Sequence, residues 1–214
     1  VGDHAAGPLR PNRREPDFTV QKWKRVETDD GPRFRSALAL HEAALLRNLV
    51  GSIVEMLDAR EAASPPDELE RITGIRTGNT RTPEDATTRR LLPDFYRPEG
   101  DADVSAIDAD GLNAALRSLH EPGIIDAKRV AAQQVLATVP EQGGRFELTE
   151  EQANAWIAAV NDIRLALGAV LKIGPDGPDQ LSAGDPMAGQ LNVYQWLTVL
   201  QEFLVVALMG RPRR

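Results

Sequence analysis

The segment TEEQANAWIAAVNDIRLALG, residues 149–168, carries the clearest helix-start signal in the chain. Thr149, followed three positions later by Gln152, matches a capping box, in which the hydroxyl takes the third helical amide and the glutamine reaches back. Beyond it Trp156, Ile157, Val160, Ile163, Leu167 and Val170 recur at three- and four-residue spacing. That periodicity predicts a helix from 149 to about 172 with one face buried. Just upstream, GGRFEL (143–148) alternates charged with apolar residues, the period of a half-buried strand. A strand thus runs into a long capped helix, and both need further apolar elements to cover them.

Those elements lie on either side. KWKRVE (22–27) and RFRSAL (33–38) alternate in the same way around TDDGP (28–32), whose Asp-Gly step suits a tight hairpin turn. With 145–148 they predict a small antiparallel sheet, because two strands alone are barely stable in water. Leu45, Leu46, Leu49, Val50, Ile53, Val54 and Leu57 mark a helix over 39–61, ended by Ser64-Pro65-Pro66. Residues 66–92 read as short helices, one opened by Thr82 as N-cap with Pro83 at the first helical position. LLPDFYRP (91–98) is expected to dock on the core, and 99–110 to form an acidic mobile linker. Two helices are predicted over 110–119 and 124–139, separated by His120-Glu121-Pro122-Gly123, since proline disrupts a helix interior. A last helix, 187–209, is apolar on nearly every side and is expected at the centre of the fold, with coverage by a second copy as the alternative. The fold class is mainly α: a bundle of about five to seven helices with a small antiparallel sheet built from the N-terminal hairpin and a strand near 145–148. One domain spans 20–210, after a disordered leader (1–19) and before a basic tail (211–214).

Composition narrows function. At 214 residues the chain can bury one good core, and 42% hydrophobic residues with 27% charged place it in the globular range. The formal charge of −7 argues against nonspecific coating of nucleic acid. It is unevenly spread: +2 over 1–47, −8 over 48–126 and −1 over 127–214. The absence of cysteine excludes disulfides, thiolate nucleophiles and thiol-bound zinc. No apolar core of signal-peptide length opens the chain, and the apolar run 193–209 is interrupted by Gln195, Gln201 and Glu202, so the expected location is cytoplasmic rather than membrane-bound.

No catalytic constellation emerges. His4, His41 and His120 stand in no metal-ligand spacing; His41 reads as a surface group at a helix start and His120 as one at a helix C-terminus. There is no G-x-S-x-G, Walker A or dinucleotide motif, and Gly143-Gly144 precedes a strand, which makes it a turn. The expectation is a non-enzyme with no metal and no cofactor. Two features suit binding. Lys22, Lys24, Arg25, Arg33 and Arg35 cluster on the hairpin, where alternation puts Lys22 and Lys24 with Arg33 and Arg35 on one face, able to meet phosphates or an acidic protein. Asn154, Asn161, Asp162 and Arg164 interrupt an apolar helix and form a candidate polar network. The helix–Pro-Gly–helix–strand order of 110–148 is loosely like a winged helix-turn-helix, with Lys128, Arg129, Gln133 and Gln134 as its contacts.

The motifs KWKRVE, HEAALLRNLVGSIVEMLDAR, LLPDFYRP, TEEQANAWIAAVNDIRLALG and VYQWLTVLQEFLV together resemble an actinobacterial family of oxidative-stress regulators with mycobacterial members, formerly a domain of unknown function. The resemblance covers about residues 20–210. It implies a transcription regulator that works with an alternative sigma factor and RNA polymerase, with promoter DNA as a further partner, to raise expression of cysteine-biosynthesis genes. Family members are also encoded near the adaptor of the cytosolic Clp protease, which implies as alternative a helical adaptor or a dimeric scaffold joined through 187–209. Where members sense oxidants through cysteine pairs, this chain departs from the pattern. Its only oxidisable sulfurs are Met56, Met187 and Met209, all expected to be buried or held in loops.

Overall fold

Sheet and helix layers meet at Thr149. A computed structural model describes residues 18, 20–64, 68–74, 76–97, 106–174, 177 and 185–210. Strands β1 (Lys24–Thr28), β2 (Gly31–Leu38) and β3 (Gly144–Thr149) form one antiparallel sheet in the order β1-β2-β3. Six helices occur among the described residues: α1 (Leu40–Ala62), α2 (Glu68–Thr73), α3 (Ala86–Leu91), α4 (Ala106–Thr138), α5 (Glu150–Val170) and α6 (Ala188–Met209). The fold is therefore mainly α with a small three-stranded sheet, as the residue pattern predicts.

α5 is the centre. Its capping box forms as expected: Thr149 Oγ1 accepts the Gln152 amide at 3.1 Å, and Gln152 Oε1 accepts the Thr149 amide at 2.9 Å. Ala153, Trp156, Ala159, Val160, Ile163 and Ala166 are buried against α1, α3, α4, α6 and the inner face of β2 and β3. Trp156 stacks on Phe146 at 5.1 Å, and Trp23 meets both rings edge-on. The indole of Trp156 donates to Thr138 Oγ1 at 2.7 Å, so the burial leaves its polar atom satisfied. α1 buries Leu46, Val50, Ile53 and Leu57, the predicted stripe. At its start the Ala39 amide donates to the Glu42 carboxylate at 2.7 Å, half a capping box, because Ala39 has no side-chain acceptor. The turn into β3 passes over this junction: a Cβ on Gly143 would lie 2.7 Å from Leu40 N, and its φ of 68° also favours glycine.

Several expectations are corrected. The two helices predicted around Pro122 are one 33-residue helix with the proline inside it. Pro122 cannot donate to the carbonyl of Ser118, but the Gly78 amide does so at 2.7 Å from the loop outside. The helix therefore continues, His120 sits in its middle beside Phe95, and no helix-turn-helix exists over 110–148. The N-cap of α3 is Asp85, not Thr82; its carboxylate accepts the Thr88 amide at 2.7 Å. The acidic segment ends at Ala106, where α4 begins, and 98–105 lies outside the described residues.

α6 lies to one side of the fold. Rather than being central, it packs against α5, β1 and β2 through Trp196, Leu197, Leu200 and Leu204, leaving Val206 and Met209 60% and 80% exposed. Met209 is thus neither buried nor in a loop. By length and apolarity alone this helix could cross a bilayer, although four of its side chains are buried against the core. The leader and the tail lie outside the described residues, except that Phe18 packs on Trp196 and His41.

Candidate interaction surface

Strand register decides which cations share a face. Lys24 stands opposite Arg35, Arg35 opposite Glu147, Val26 opposite Arg33 and Ala37 opposite Arg145. Paired residues project to the same side of a sheet. The other side carries Phe34, Ser36, Leu38 and Leu148, all buried. Lys24, Arg33, Arg35 and Arg145 therefore occupy the outer face, with Glu147 as the carboxylate among them. Glu147 pairs with Arg35 at 2.5 Å and more loosely with Arg33 at 3.7 Å. Such exposed pairs contribute about 0–1 kcal/mol and are readily exchanged for an external partner. Asp29 and Asp30 at the hairpin tip and Glu150 and Glu151 after Thr149 bound the patch at one end.

The other hairpin cations lie elsewhere. Lys22 precedes β1 and its ammonium stands 6.0 Å from the Phe203 ring. Arg25 alternates to the inner side, pairs with Glu27 at 2.7 Å and donates to the Leu208 carbonyl at 3.0 Å. There a cation compensates the negative end of α6. Three of the five sequence-derived cations thus share the face. Arg145 joins them, and its alternation with Phe146 and Leu148 was the signal that could have found it.

The polar groups of α5 diverge. Asn154 donates to its own helix at the Glu150 carbonyl. Asp162 is buried and accepts from Lys128 of α4 at 2.5 Å. Burial pushes its pKa above the usual carboxylate value, with Lys128 opposing. Arg164 donates to Thr198 and Gln201 of α6 at 3.0 and 2.5 Å, and Asn161 lines a cleft with it.

A buried ionic cluster escaped sequence reading. Arg117 and Glu121 of α4 are 0% and 1% exposed and pair at 2.8 Å. Arg60 of α1 grips the same carboxylate at 2.8 Å, and Arg117 also reaches Asp94 at 2.7 Å. Beside it Arg129 ties Asp58, Glu61 and Asp126, and Arg76 joins Asp126 and the Pro122 carbonyl. These contacts join α1 to α4, with each ion meeting opposite charge. Among the described residues no group of three or more His, Cys, Asp or Glu could hold a metal.

Comparison with known proteins adds a family. Residues 20–208 match the model of a domain of unknown function, DUF2017. A Mycobacterium tuberculosis protein named oxidative stress regulator AosR is 66% identical over 194 residues, 89% of each chain. A Mycobacterium leprae protein named putative oxidative stress regulator AosR is 62% identical over 201 residues, 92% of this chain and 93% of that one. No solved structure matches the chain.

Proposed function

We propose a regulatory function for this chain, which belongs to the DUF2017 family: it acts in the oxidative-stress response, as its mycobacterial relatives are named for doing. In this reading the protein is a cytoplasmic non-enzyme that docks on an alternative sigma factor or RNA polymerase and raises expression of cysteine-biosynthesis genes. The observation that carries it is the grouping of Lys24, Arg33, Arg35 and Arg145 on one outward sheet face around Glu147. Such a face attracts an acidic surface and speeds encounter with it. The formal charge of −7 argues against nonspecific coating of a DNA backbone, and Glu147 among the cations makes the patch a mixed-charge face of the kind that meets another protein. Oxidant sensing then falls to the partner, since this chain has no thiol.

The test is capture of polymerase and sigma factors by the Lys24→Glu, Arg35→Glu double variant. Capture should fall with the melting temperature unchanged; undiminished capture by a folded variant overturns the reading. A second reading, a dimeric scaffold linked to Clp proteolysis, is favoured by the exposed Val206 and Met209 of α6. A monomer in light scattering at micromolar concentration would remove it.

A further inference from the structure

A cleft of about 390 Å³ opens where α3, the C-terminal half of α5 and α6 meet. Arg90, Asn161, Arg164, Lys172 and Tyr194 bring polar groups to it, and its described lining contains no acidic residue. The void falls within the size range of small-molecule sites.

Arg164 is held in place before any ligand arrives. Its Nε donates to Thr198 Oγ1 at 3.0 Å and its Nη1 to Gln201 Oε1 at 2.5 Å, while the guanidinium lies over the Tyr194 ring at 5.4 Å. Those partners are fixed in turn, Thr198 donating to the Tyr194 carbonyl and Gln201 to that of Ile157. Nη2 is left without a protein acceptor among the described residues. Bridging α5 to α6 explains Arg164 by itself. It does not explain Arg90 and Lys172, which line the same cleft and form no ion pair among the described residues.

Lys172 is placed there by an unusual backbone. The Ile173 amide bonds the Gly168 carbonyl at 2.9 Å and the Lys172 amide that of Ala169 at 3.3 Å, closing α5 in a Schellman-type turn. Lys172 occupies the left-handed position, φ 54°, where glycine is the usual residue. The position thus carries a cation where backbone preference alone favours glycine.

We propose that this cleft binds a small phosphorylated molecule, its phosphate held by Arg90, Arg164 and Lys172 and the rest of it meeting Asn161, Tyr194, Leu165 and Ile173. The free Nη2 of Arg164, the guanidinium of Arg90 and the ammonium of Lys172 can each donate to a phosphate oxygen, and the excess of positive charge suits a dianion. The site is separate from the sheet face, so either can fail without the other.

Isothermal titration of the full chain with inorganic pyrophosphate and with ribose 5-phosphate tests it, with ribose as the uncharged control. The expected result is saturable one-site binding of a phosphate probe and none of ribose. Arg90→Gln and Lys172→Gly should each weaken it by roughly tenfold or more. Lys172→Gly removes the cation while easing the backbone, so its melting temperature should not fall. The Lys24→Glu, Arg35→Glu variant should bind as well as the parent. No saturable heat with either probe up to about 10 mM overturns the proposal. So does full retention in both cleft variants, or equal loss in the sheet variant. Gly174 is followed in the sequence by Asp176 and Asp179; binding that appears only in an Asp176→Asn, Asp179→Asn variant also overturns it.

Discussion

The Gly78 amide donates to the Ser118 carbonyl at 2.7 Å, the carbonyl that Pro122 leaves without a helical donor. The two segments touch closely there: a Cβ on Gly78 would stand 2.8 Å from Pro122 Cδ and 3.0 Å from Cγ. A loop outside α4 thereby supplies the bond that the helix lacks. Gly78→Ala should lower stability by about 1–3 kcal/mol through overpacking. In a Pro122→Ala background the same substitution should cost less, because the ring is gone and the restored amide serves Ser118. Denaturant unfolding of the four proteins in a double-mutant cycle measures that coupling. Simple additivity would show that the contact does not hold the loop.

Glu121 stands between Arg117 and Arg60 at 1% exposure. Glu121→Ala removes the buried carboxylate that Arg60 and Arg117 share, leaving Arg117 with Asp94 and Arg60 with no carboxylate among the described residues, and should cost about 3–5 kcal/mol. Glu147→Ala, which breaks exposed pairs with Arg33 and Arg35, should cost about 1 kcal/mol or less. Urea unfolding of the two variants side by side compares them; similar losses would mean that the interior cluster is far better solvated than its burial implies.

Asp162 has a folded-state pKa above its ordinary value because burial outweighs the Lys128 contact. The folded state then binds a proton more readily than the unfolded one. This group's contribution therefore falls as pH rises through the window between the unfolded and folded pKa, and recovers on acidification. The stability difference between wild type and Asp162→Asn should shift toward wild type as pH falls from neutral to about 4. Chemical denaturation across that range reads the slope. The opposite slope would mean that Lys128 dominates and holds the pKa low.

Glu147→Gln leaves four cations on the sheet face without their carboxylate. If that face meets an acidic partner, association should become faster and more salt-sensitive. Surface-immobilised sigma factor or polymerase, probed across ionic strengths, provides the measurement. An unchanged association rate would count against the sheet as the docking face.

Much of the local architecture was legible from residue order. The stripes of α1 and α5, the Thr149–Gln152 box and the alternation of β1, β2 and β3 are short-range patterns whose meaning depends on neighbours a few residues away. The same alternation placed Lys24, Arg33 and Arg35 together. It could not supply Arg25 with its partner Leu208, 183 residues distant, or set Lys22 beside Phe203.

Residue spacing alone identified most of the helices and strands and which of their faces must be covered, because backbone geometry converts spacing into sidedness. What covers each face was settled by packing in three dimensions. That packing kept α4 whole across Pro122 by lending Gly78, moved α6 from the expected centre to one side of α5, and brought Arg60, Arg117 and Glu121 into one buried cluster. Each depends on groups far apart in the chain meeting to satisfy a carbonyl, an apolar surface or a charge, and local periodicity does not encode such a meeting.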